Sequence, residues 1–219
     1  MSHNIVLLHA TPVAMQPINA AMNALWPQAT GINLLDEGLS LERAKSKTLS
    51  EPLFERFVRF GIYASDMGAD GILATCSAFG EALEHLNTLL PIPVLKPNDA
   101  MFSQAIKCGQ RIGMLATFAP AIGGMEQEFR EMAAKMNSRA TLTTVCAEGA
   151  MEHLRQGDAQ THNEIVARYA GKLADCDVIM LAHFSTSRAL EAVGAVSPIP
   201  VLAAPQAAVM EMKALITAQ

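Results

Sequence analysis

Cys76 is the residue best placed to do chemistry, because it follows an apolar strand directly and precedes a segment of helical pattern. In LATCSAFGEAL (73–83) the predicted strand GILAT (71–75) runs into Cys76, and the first turn of the next helix is expected near residues 77–80. The amino terminus of a helix favours the thiolate form of a cysteine, which is the form that acts as a nucleophile or base. A buried, inert thiol is the alternative, and the position at a strand end favours the reactive one.

The other three cysteines are predicted to be structural. Cys108 ends a helical segment, Cys176 precedes a strand, and Cys146 ends a strand but continues into the acidic stretch AEGAMEH. The four cysteines lack metal-type spacing, and in a chain with a large apolar core we expect them to be reduced thiols.

Short apolar runs alternate with segments of helical period, which is typical of βα units around a parallel sheet. Helical stripes include one through Leu53, Phe57, Phe60, Ala64 and Met67, which Ser50 is expected to cap. The predicted strands are residues 5–9, 31–35, 71–75, 92–95, 111–116, 140–145, 177–182 and 199–202.

An internal repeat indicates two halves. PIPVL occurs at 91–95 and again at 198–202, an offset of 107; Ala-Thr at 10–11 and 116–117 gives 106, and Leu-Ala at 73–74 and 181–182 gives 108. We therefore predict an α/β fold of two pseudo-symmetric lobes from an internal duplication, each a roughly four-stranded parallel sheet flanked by helices. The first lobe would comprise residues 1–97 plus 205–219, and the second residues 98–204. Coincidental similarity between two βα units of one sheet is the alternative.

Four strand ends are candidates for a binding site, because ligands of parallel α/β sheets bind outside the carboxyl ends of the strands. Each is small, polar or proline-bearing where the strand before it is apolar. His9 and His183 lie at two of them, and either a structural or a binding role remains open for both. The four segments are residues 9–12, 75–78, 117–120 and 183–187.

Composition narrows the class of partner. No GxGxxG or P-loop motif follows a strand, and the histidines lack the spacing of metal ligands, so we predict no cofactor and no metal site. A net charge of −5 without a basic run argues against nucleic acid. The sequence shows neither a secretory signal nor a membrane-spanning run, which favours a cytoplasmic protein. A homodimer is the common state for this fold class.

The length, the duplicated α/β pattern, the strand-end Cys in ATCSAFG and a matching strand end in the second copy of the repeat resemble the aspartate/glutamate/hydantoin racemase superfamily. That superfamily also includes arylmalonate decarboxylase and maleate isomerase. The resemblance implies two lobes that face each other across a cleft, with one strand-end residue from each beside the substrate α carbon. It also implies that hydroxyl and backbone N–H groups hold a carboxylate. By this match Cys76 is the first-lobe residue.

The second lobe departs from the family pattern, in which a second Cys is usual. Here that position is Phe184 by the 108 offset or His183 by the 107 offset, which excludes a two-thiol racemase and makes the chain an atypical member with a single strand-end Cys. Ser185, Thr186, Ser187 or His183 would take the second role, and Phe184 would give the site an apolar wall. The resemblance thus implies catalytic residues Cys76, Ser185 and His183, and substrate-binding residues Thr11, Pro12, Thr75, Ser77, Thr117, Phe184 and Thr186.

Three functions follow as hypotheses. The first is a cofactor-independent racemase, epimerase or isomerase that acts alpha to the carboxylate of a small amino or hydroxy acid, with Cys76 as acid/base. The second is a single-Cys decarboxylase or carbon–carbon isomerase. The third is a non-catalytic protein that binds a small molecule; for the enzymes the expected partner is a small carboxylate substrate.

Overall fold

The computed structural model describes residues 3–46 and 48–218, and the chain divides into two compact units. The first unit is Met1–Asn98 together with Ala208–Gln219, and the second is Asp99–Ala207. The sequence repeat places the corresponding boundaries at 97/98 and 204/205.

The first unit contains a four-stranded parallel sheet in the order β2-β1-β3-β4. Its strands are β1 (Asn4–His9), β2 (Thr30–Leu35), β3 (Gly71–Ala74) and β4 (Val94–Leu95). Its helices are α1 (Met15–Leu25), α2 (Glu37–Arg43), α3 (Glu51–Asp66) and α4 (Gly80–Leu89), with short 3-10 turns at Pro12–Ala14 and Ser77–Phe79.

The second unit repeats this arrangement with a parallel sheet in the order β6-β5-β7-β8. Its strands are β5 (Arg111–Ala116), β6 (Thr141–Cys146), β7 (Val178–Leu181) and β8 (Val201–Ala203). Its helices are α5 (Asp99–Cys108), α6 (Ala119–Lys135), α7 (Ala150–Arg155), α8 (Ala159–Ala170), α9 (His183–Thr186) and α10 (Leu190–Val196), with 3-10 turns at Gly171–Leu173 and Ser187–Ala189. Helix α11 (Ala204–Thr217) follows β8, and its residues from Ala208 onward belong to the first unit.

The eight predicted strands are confirmed, and four of them, β3, β4, β7 and β8, are shorter than expected. β4 is limited to two residues and β8 to three. In the first of these Pro93 precedes the strand and has no N–H to donate, although its carbonyl accepts from the backbone N–H of Ile72 at 2.9 Å. The PIPVL repeat therefore marks a strand start rather than a whole strand.

The two sheets have the same register at the offset of the PIPVL repeat. Ile5 pairs with Gly71 as Ile112 pairs with Val178, and Ile72 pairs with Val94 as Ile179 pairs with Val201. The outer strands β2 and β6 are the exception to this offset. The residues of β6 lie slightly more than 107 positions after the corresponding residues of β2. A shared strand order and register are what an internal duplication would leave.

An aspartate before the third strand of each unit reinforces this equivalence. The Asp70 carboxylate accepts from the backbone N–H of Asn4 at 2.8 Å, and the Asp177 carboxylate accepts from the backbone N–H groups of Arg111 and Gln110, each at 2.9 Å. Hydrogen bonds from the backbone and side chain of Arg111 lower the pKa of Asp177 to about 2. Both aspartates thus tie the start of the third strand to the start of the first.

Packing of α3 fixes the turn that follows β3. Leu53, Phe57 and Ala64 are buried as the helical stripe predicts, but Met67 is 39% exposed and does not belong to the core. The Phe57 ring stacks on Phe79 at 4.5 Å, and Phe79 ends the 3-10 turn after Cys76. Burial of such a ring contributes about 2–3 kcal/mol to the stability of the fold, so packing of Phe79 against the core holds the turn in place.

The predicted capping of α3 by Ser50 is correct in position, but the expected hydrogen bond is not formed. Ser50 does occupy the N-cap position, with extended backbone, but its side chain makes no capping hydrogen bond. Pro52 in the first turn supplies a residue whose missing N–H costs nothing there.

Gly71 allows α11 to pack against the first unit. A Cβ atom at this position would lie 2.5 Å from the sulfur of Met212 and 3.2 Å from its methyl group. The Lys213 ammonium group also donates to the carbonyl of Leu25 at 3.0 Å.

No helix within the described residues is long and apolar enough to cross a membrane.

Candidate active site

Cys76 lies where β3 turns into a helical segment, as the sequence predicts. Its backbone is extended, with φ −128° and ψ 121°, and it occupies the N-cap position of the 3-10 turn Ser77–Phe79, which continues directly into α4. The side chain is partly buried and packs against the core of the first unit. The first backbone N–H groups of such a segment have no partner within the helix and can bind an anion.

The remaining cysteines are less suited to act as a thiolate. Two of them are in surroundings that favour the neutral thiol, and the third does not follow a strand. Burial raises the pKa of both Cys146 and Cys176, and Cys108 is exposed at the end of α5. All four cysteines belong to the described part of the chain, and none of them forms a disulfide.

The register of the two sheets identifies the second-unit counterpart of Cys76. The backbone N–H of Thr75 donates to the carbonyl of Leu8 at 3.0 Å, and at the same repeat offset that of Ala182 donates to Leu115 at 2.9 Å. The equivalence therefore extends one residue beyond the strand ladders, and the next residue is Cys76 in the first unit and His183 in the second. The 108 offset, which would make Phe184 the counterpart of Cys76, is wrong.

His183 has an unusual conformation for a residue with a side chain. Its φ of 66° lies in the left-handed region, which costs about 1–2 kcal/mol for a residue other than Gly. Its ring Nδ1 is buried without a hydrogen-bond partner among the described residues. Burial lowers the pKa of His183, against a smaller opposing effect of the Ala182 backbone, so the ring is held neutral. Strain and an unsatisfied polar atom at one residue are typical of functional sites.

The hydroxyl groups predicted for the second unit are buried, and all of them except that of Thr117 directly follow His183 and Phe184 in the chain. The hydroxyls of Thr117 and Thr186 share a hydrogen bond of 3.0 Å, and that of Ser187 donates to the carbonyl of Phe184 at 2.6 Å. Phe184 and Ser185 are 3% and 8% exposed. Their roles in substrate binding or catalysis stay predictions.

Comparisons with known proteins show the family of the chain. The profile of the family described as Asp/Glu/Hydantoin racemase matches residues 39–175, more than half of the chain. The chain belongs to this racemase family. Racemases are isomerases, which assigns the chain to that class of enzyme. No curated protein matches the sequence.

Solved structures show that the fold is that of racemases. The aspartate racemase of Picrophilus torridus is similar with a TM-score of 0.74 and 11% identity over 99% of this chain and 95% of that one. Allantoin racemase from Klebsiella pneumoniae gives a TM-score of 0.73 with 15% identity over 99% and 89%. Glutamate racemase from Francisella tularensis subsp. tularensis SCHU S4, in complex with D-glutamate, gives 0.71 with 15% identity over 99% and 82%.

The other residues predicted for the first half of this racemase-family site also follow strands. Thr11 has extended backbone after β1 and precedes the 3-10 turn Pro12–Ala14, in which Pro12 is exposed. Ser77 is partly buried directly after Cys76, and Thr75 is 8% exposed directly before it. Contact of these residues with a substrate stays a prediction.

Sequence reasoning missed two contacts beside Cys76. Arg43, at the end of α2, donates through Nε to the carbonyl of Ala78 at 3.2 Å, and so holds the turn that follows the thiol. His9, whose role the sequence leaves open, is fully buried, and its Nδ1 lies 2.9 Å from the Thr75 hydroxyl oxygen. Both partners are distant in sequence, so only the occurrence of His9 at a strand end was a usable signal.

A surface depression of about 690 Å³ in the second unit lies elsewhere. It is lined by helical residues of α8, the following 3-10 turn and the end of α10, and by none of the strand-end residues above. The lining residues are Glu164, Ala167, Arg168, Gly171 and Val196.

Buried histidines predict a dependence of stability on pH. Burial lowers the pKa of His9, His162 and His183, so each binds a proton more weakly in the folded chain than in the unfolded one. The unfolded chain then binds more protons at pH values below about 6.5, the ordinary pKa of histidine. We expect the free energy of unfolding, measured with urea, to fall as the pH is lowered from 7.5 to 5.

The variant His162→Gln tests the cause, because it removes one buried group that must stay neutral. Its urea midpoint should depend less on pH across this range than that of the unmodified chain. An unchanged slope in the variant would show that His162 does not contribute. The lowered pKa of Asp177, at about 2, acts only at more acid pH and does not interfere.

Proposed function

We propose that this chain is a cofactor-independent racemase or epimerase that acts alpha to the carboxylate of a small amino or hydroxy acid, with Cys76 and His183 as its two acid/base groups. The observation that carries the proposal is the equivalence of the two residues in the repeat. Each is the second residue after the third strand of its own sheet, and the backbone hydrogen bonds that precede them match.

Racemisation by two groups requires one to remove the α proton and the other to return a proton from the opposite face. A Cys thiolate with an imidazolium, or a thiol with a neutral imidazole, provides such a pair, and one proton transfer interconverts the two forms. The lowered pKa of His183 favours the neutral imidazole in the resting state. In that direction His183 takes the α proton and the Cys76 thiol delivers one. The reverse direction starts from the thiolate and the imidazolium.

The intermediate of this reaction is an enediolate, whose charge needs donors that are already oriented. In the first unit we assign this role to the backbone N–H groups that follow Cys76, assisted by Ser77. In the second unit we assign it to those that follow His183, assisted by Ser185. The buried Thr117–Thr186 pair is assigned to holding α9 against the end of β5.

Exchange of the α proton with solvent tests the proposal. The full-length protein is incubated in deuterated water with both enantiomers of glutamate, aspartate and a panel of small amino and hydroxy acids, and with allantoin. Deuterium at the α carbon is measured by mass spectrometry, and inversion by chiral chromatography. We expect incorporation together with inversion for at least one compound. A folded protein that exchanges none of them across this panel would refute the racemase.

A further inference from the structure

A chain of partly and fully buried polar side chains leads from α1 to the residue before Cys76. The amides of Asn19 and Asn33 bond to each other through two contacts of 3.2 Å, and the Asn33 oxygen lies 2.9 Å from Nε2 of His9. On the other side of the ring, Nδ1 of His9 lies 2.9 Å from the hydroxyl oxygen of Thr75. His9 is 0% exposed and its bond with Thr75 is buried, so water does not compete for that bond.

The donors and acceptors of this chain assign the proton on His9. The Asn33 oxygen can only accept, so Nε2 donates to it and carries the proton of the neutral ring. Nδ1 is then an acceptor, and the Thr75 hydroxyl donates to it. The Leu8 carbonyl, 3.2 Å from the same hydroxyl, already accepts the backbone N–H of Thr75 at 3.0 Å. Burial lowers the pKa of His9 and thereby supports the neutral form.

The second unit builds the same sheet without this connection. Its β6 residue Thr144 donates to Glu126 of α6 at 2.7 Å, which matches the contact between Asn33 and α1. At the positions of His9 and Thr75, however, it has Ala116 and Ala182, which are both buried. Two alanines therefore suffice for this strand pairing and register. A buried polar group needs hydrogen-bond partners to offset its desolvation, whereas an alanine needs none, so the fold alone does not explain the first-unit network.

We propose that His9 is a positioning residue for Cys76, which it holds in place through the Thr75 hydroxyl. The bond from Thr75 to His9 fixes the side chain of Thr75, and the bond from its backbone N–H to Leu8 fixes the peptide before it, so the residue directly before Cys76 is anchored by both its side chain and its backbone. The thiol is thereby kept at the start of the turn Ser77–Phe79, and the amino terminus of a helical segment favours a thiolate. The inference rests on the proposed role of Cys76, but its consequence for the thiol is measurable without a substrate.

The test is the rate at which iodoacetamide alkylates Cys76 in the full-length protein, followed by mass spectrometry of the Cys76 peptide with exposed Cys108 as internal reference. Thr75→Val keeps the shape of the side chain and removes the hydroxyl, whereas Thr75→Ser keeps the hydroxyl. We expect alkylation about fivefold slower in Thr75→Val, because a loosened site spends less time in the reactive geometry. Thr75→Ser should react within about twofold of the unmodified protein.

Two further variants separate positioning from general loosening. His9→Leu should slow alkylation as Thr75→Val does, and if it fails to fold, the Thr75 pair alone decides. Thr144→Val removes the corresponding helix–strand bond of the second unit and should leave the rate unchanged. Equal rates in Thr75→Val and the unmodified protein, or equal slowing in Thr75→Ser and Thr75→Val, would overturn the inference. Slowed alkylation in a protein that exchanges no α proton would uphold the positioning role and refute the racemase.

Discussion

Replacing Cys76 by Ala is expected to lower the rate of α-proton exchange by about 10³-fold, the scale on which a positioned acid/base group acts. The thiol is the only group of this kind that we assign to the first unit, and Ala offers no proton at that position. The loss corresponds to about 4 kcal/mol in the activation free energy. Folding should be largely unaffected, because Cys76 is only partly buried, follows β3 and packs at the edge of the core.

The matched control is Cys108→Ala, which removes an exposed thiol at the end of a helix in the second unit. It should exchange α protons as fast as the unmodified chain. The rates are compared in deuterated water on the substrate that the panel identifies, with urea unfolding of each variant as a check of stability. If Cys76→Ala keeps more than a tenth of the activity, the thiol is not the acid/base group.

The strands were predictable because their signal is local. In β1 and β5 a run of apolar residues is buried on both faces of a parallel sheet, so the residue types alone reveal the strand. Ser50 shows the limit of such reasoning, since its position at the start of α3 was correct and its hydrogen bond was not. Residue preference indicates where a helix begins, whereas the orientation of the side chain depends on its neighbours in space.

The counterpart of Cys76 could be narrowed to two residues from the sequence, but not to one. The Leu-Ala pairs at 73–74 and 181–182 suggest an offset of 108, because Leu and Ala are interchangeable on a buried strand and match by chance. The pairing of residues between neighbouring strands does not depend on residue type in this way, and it gives an offset of 107. A slip of one residue exchanges His183 for Phe184, and so replaces a group that can carry a proton by one that cannot.

The supporting contacts of the site could not be predicted at all. His9 meets Thr75 across 66 residues and Asn33 across 24, and Arg43 meets Ala78 across 35. A single sequence contains no signal for such pairs, since the type of one partner does not indicate the other. The importance of the network becomes visible only when the two units are compared, because the second unit has Ala116 and Ala182 at the positions of His9 and Thr75 and lacks the network.

Replacing His183 by Asn is expected to separate exchange from inversion. Asn tolerates the left-handed backbone that His183 adopts with φ 66°, and it cannot act as an acid or base. Cys76 can still remove and return a proton on its own face. One enantiomer should therefore gain deuterium without being inverted, while racemisation falls by about 10²-fold or more, in the range of general acid/base catalysis.

The control for this variant is His162→Asn, which replaces another buried histidine of the second unit whose pKa is also lowered by burial. It should keep the ratio of inversion to exchange found in the unmodified chain, whatever it costs in stability. Deuterium at the α carbon and the configuration of the same sample are measured together, so that loss of both activities through unfolding is recognised at once.

The same measurement decides between the chemistries that the sequence left open. If racemisation survives in His183→Asn and is lost in Ser185→Ala, the second group is a hydroxyl. If neither variant alters turnover while Cys76→Ala abolishes it, a single thiol does the chemistry, as in a decarboxylase, and the two-group mechanism is wrong. Exchange without inversion in His183→Asn would instead show that the duplicated strand ends supply the two groups, a thiol from one unit and an imidazole from the other.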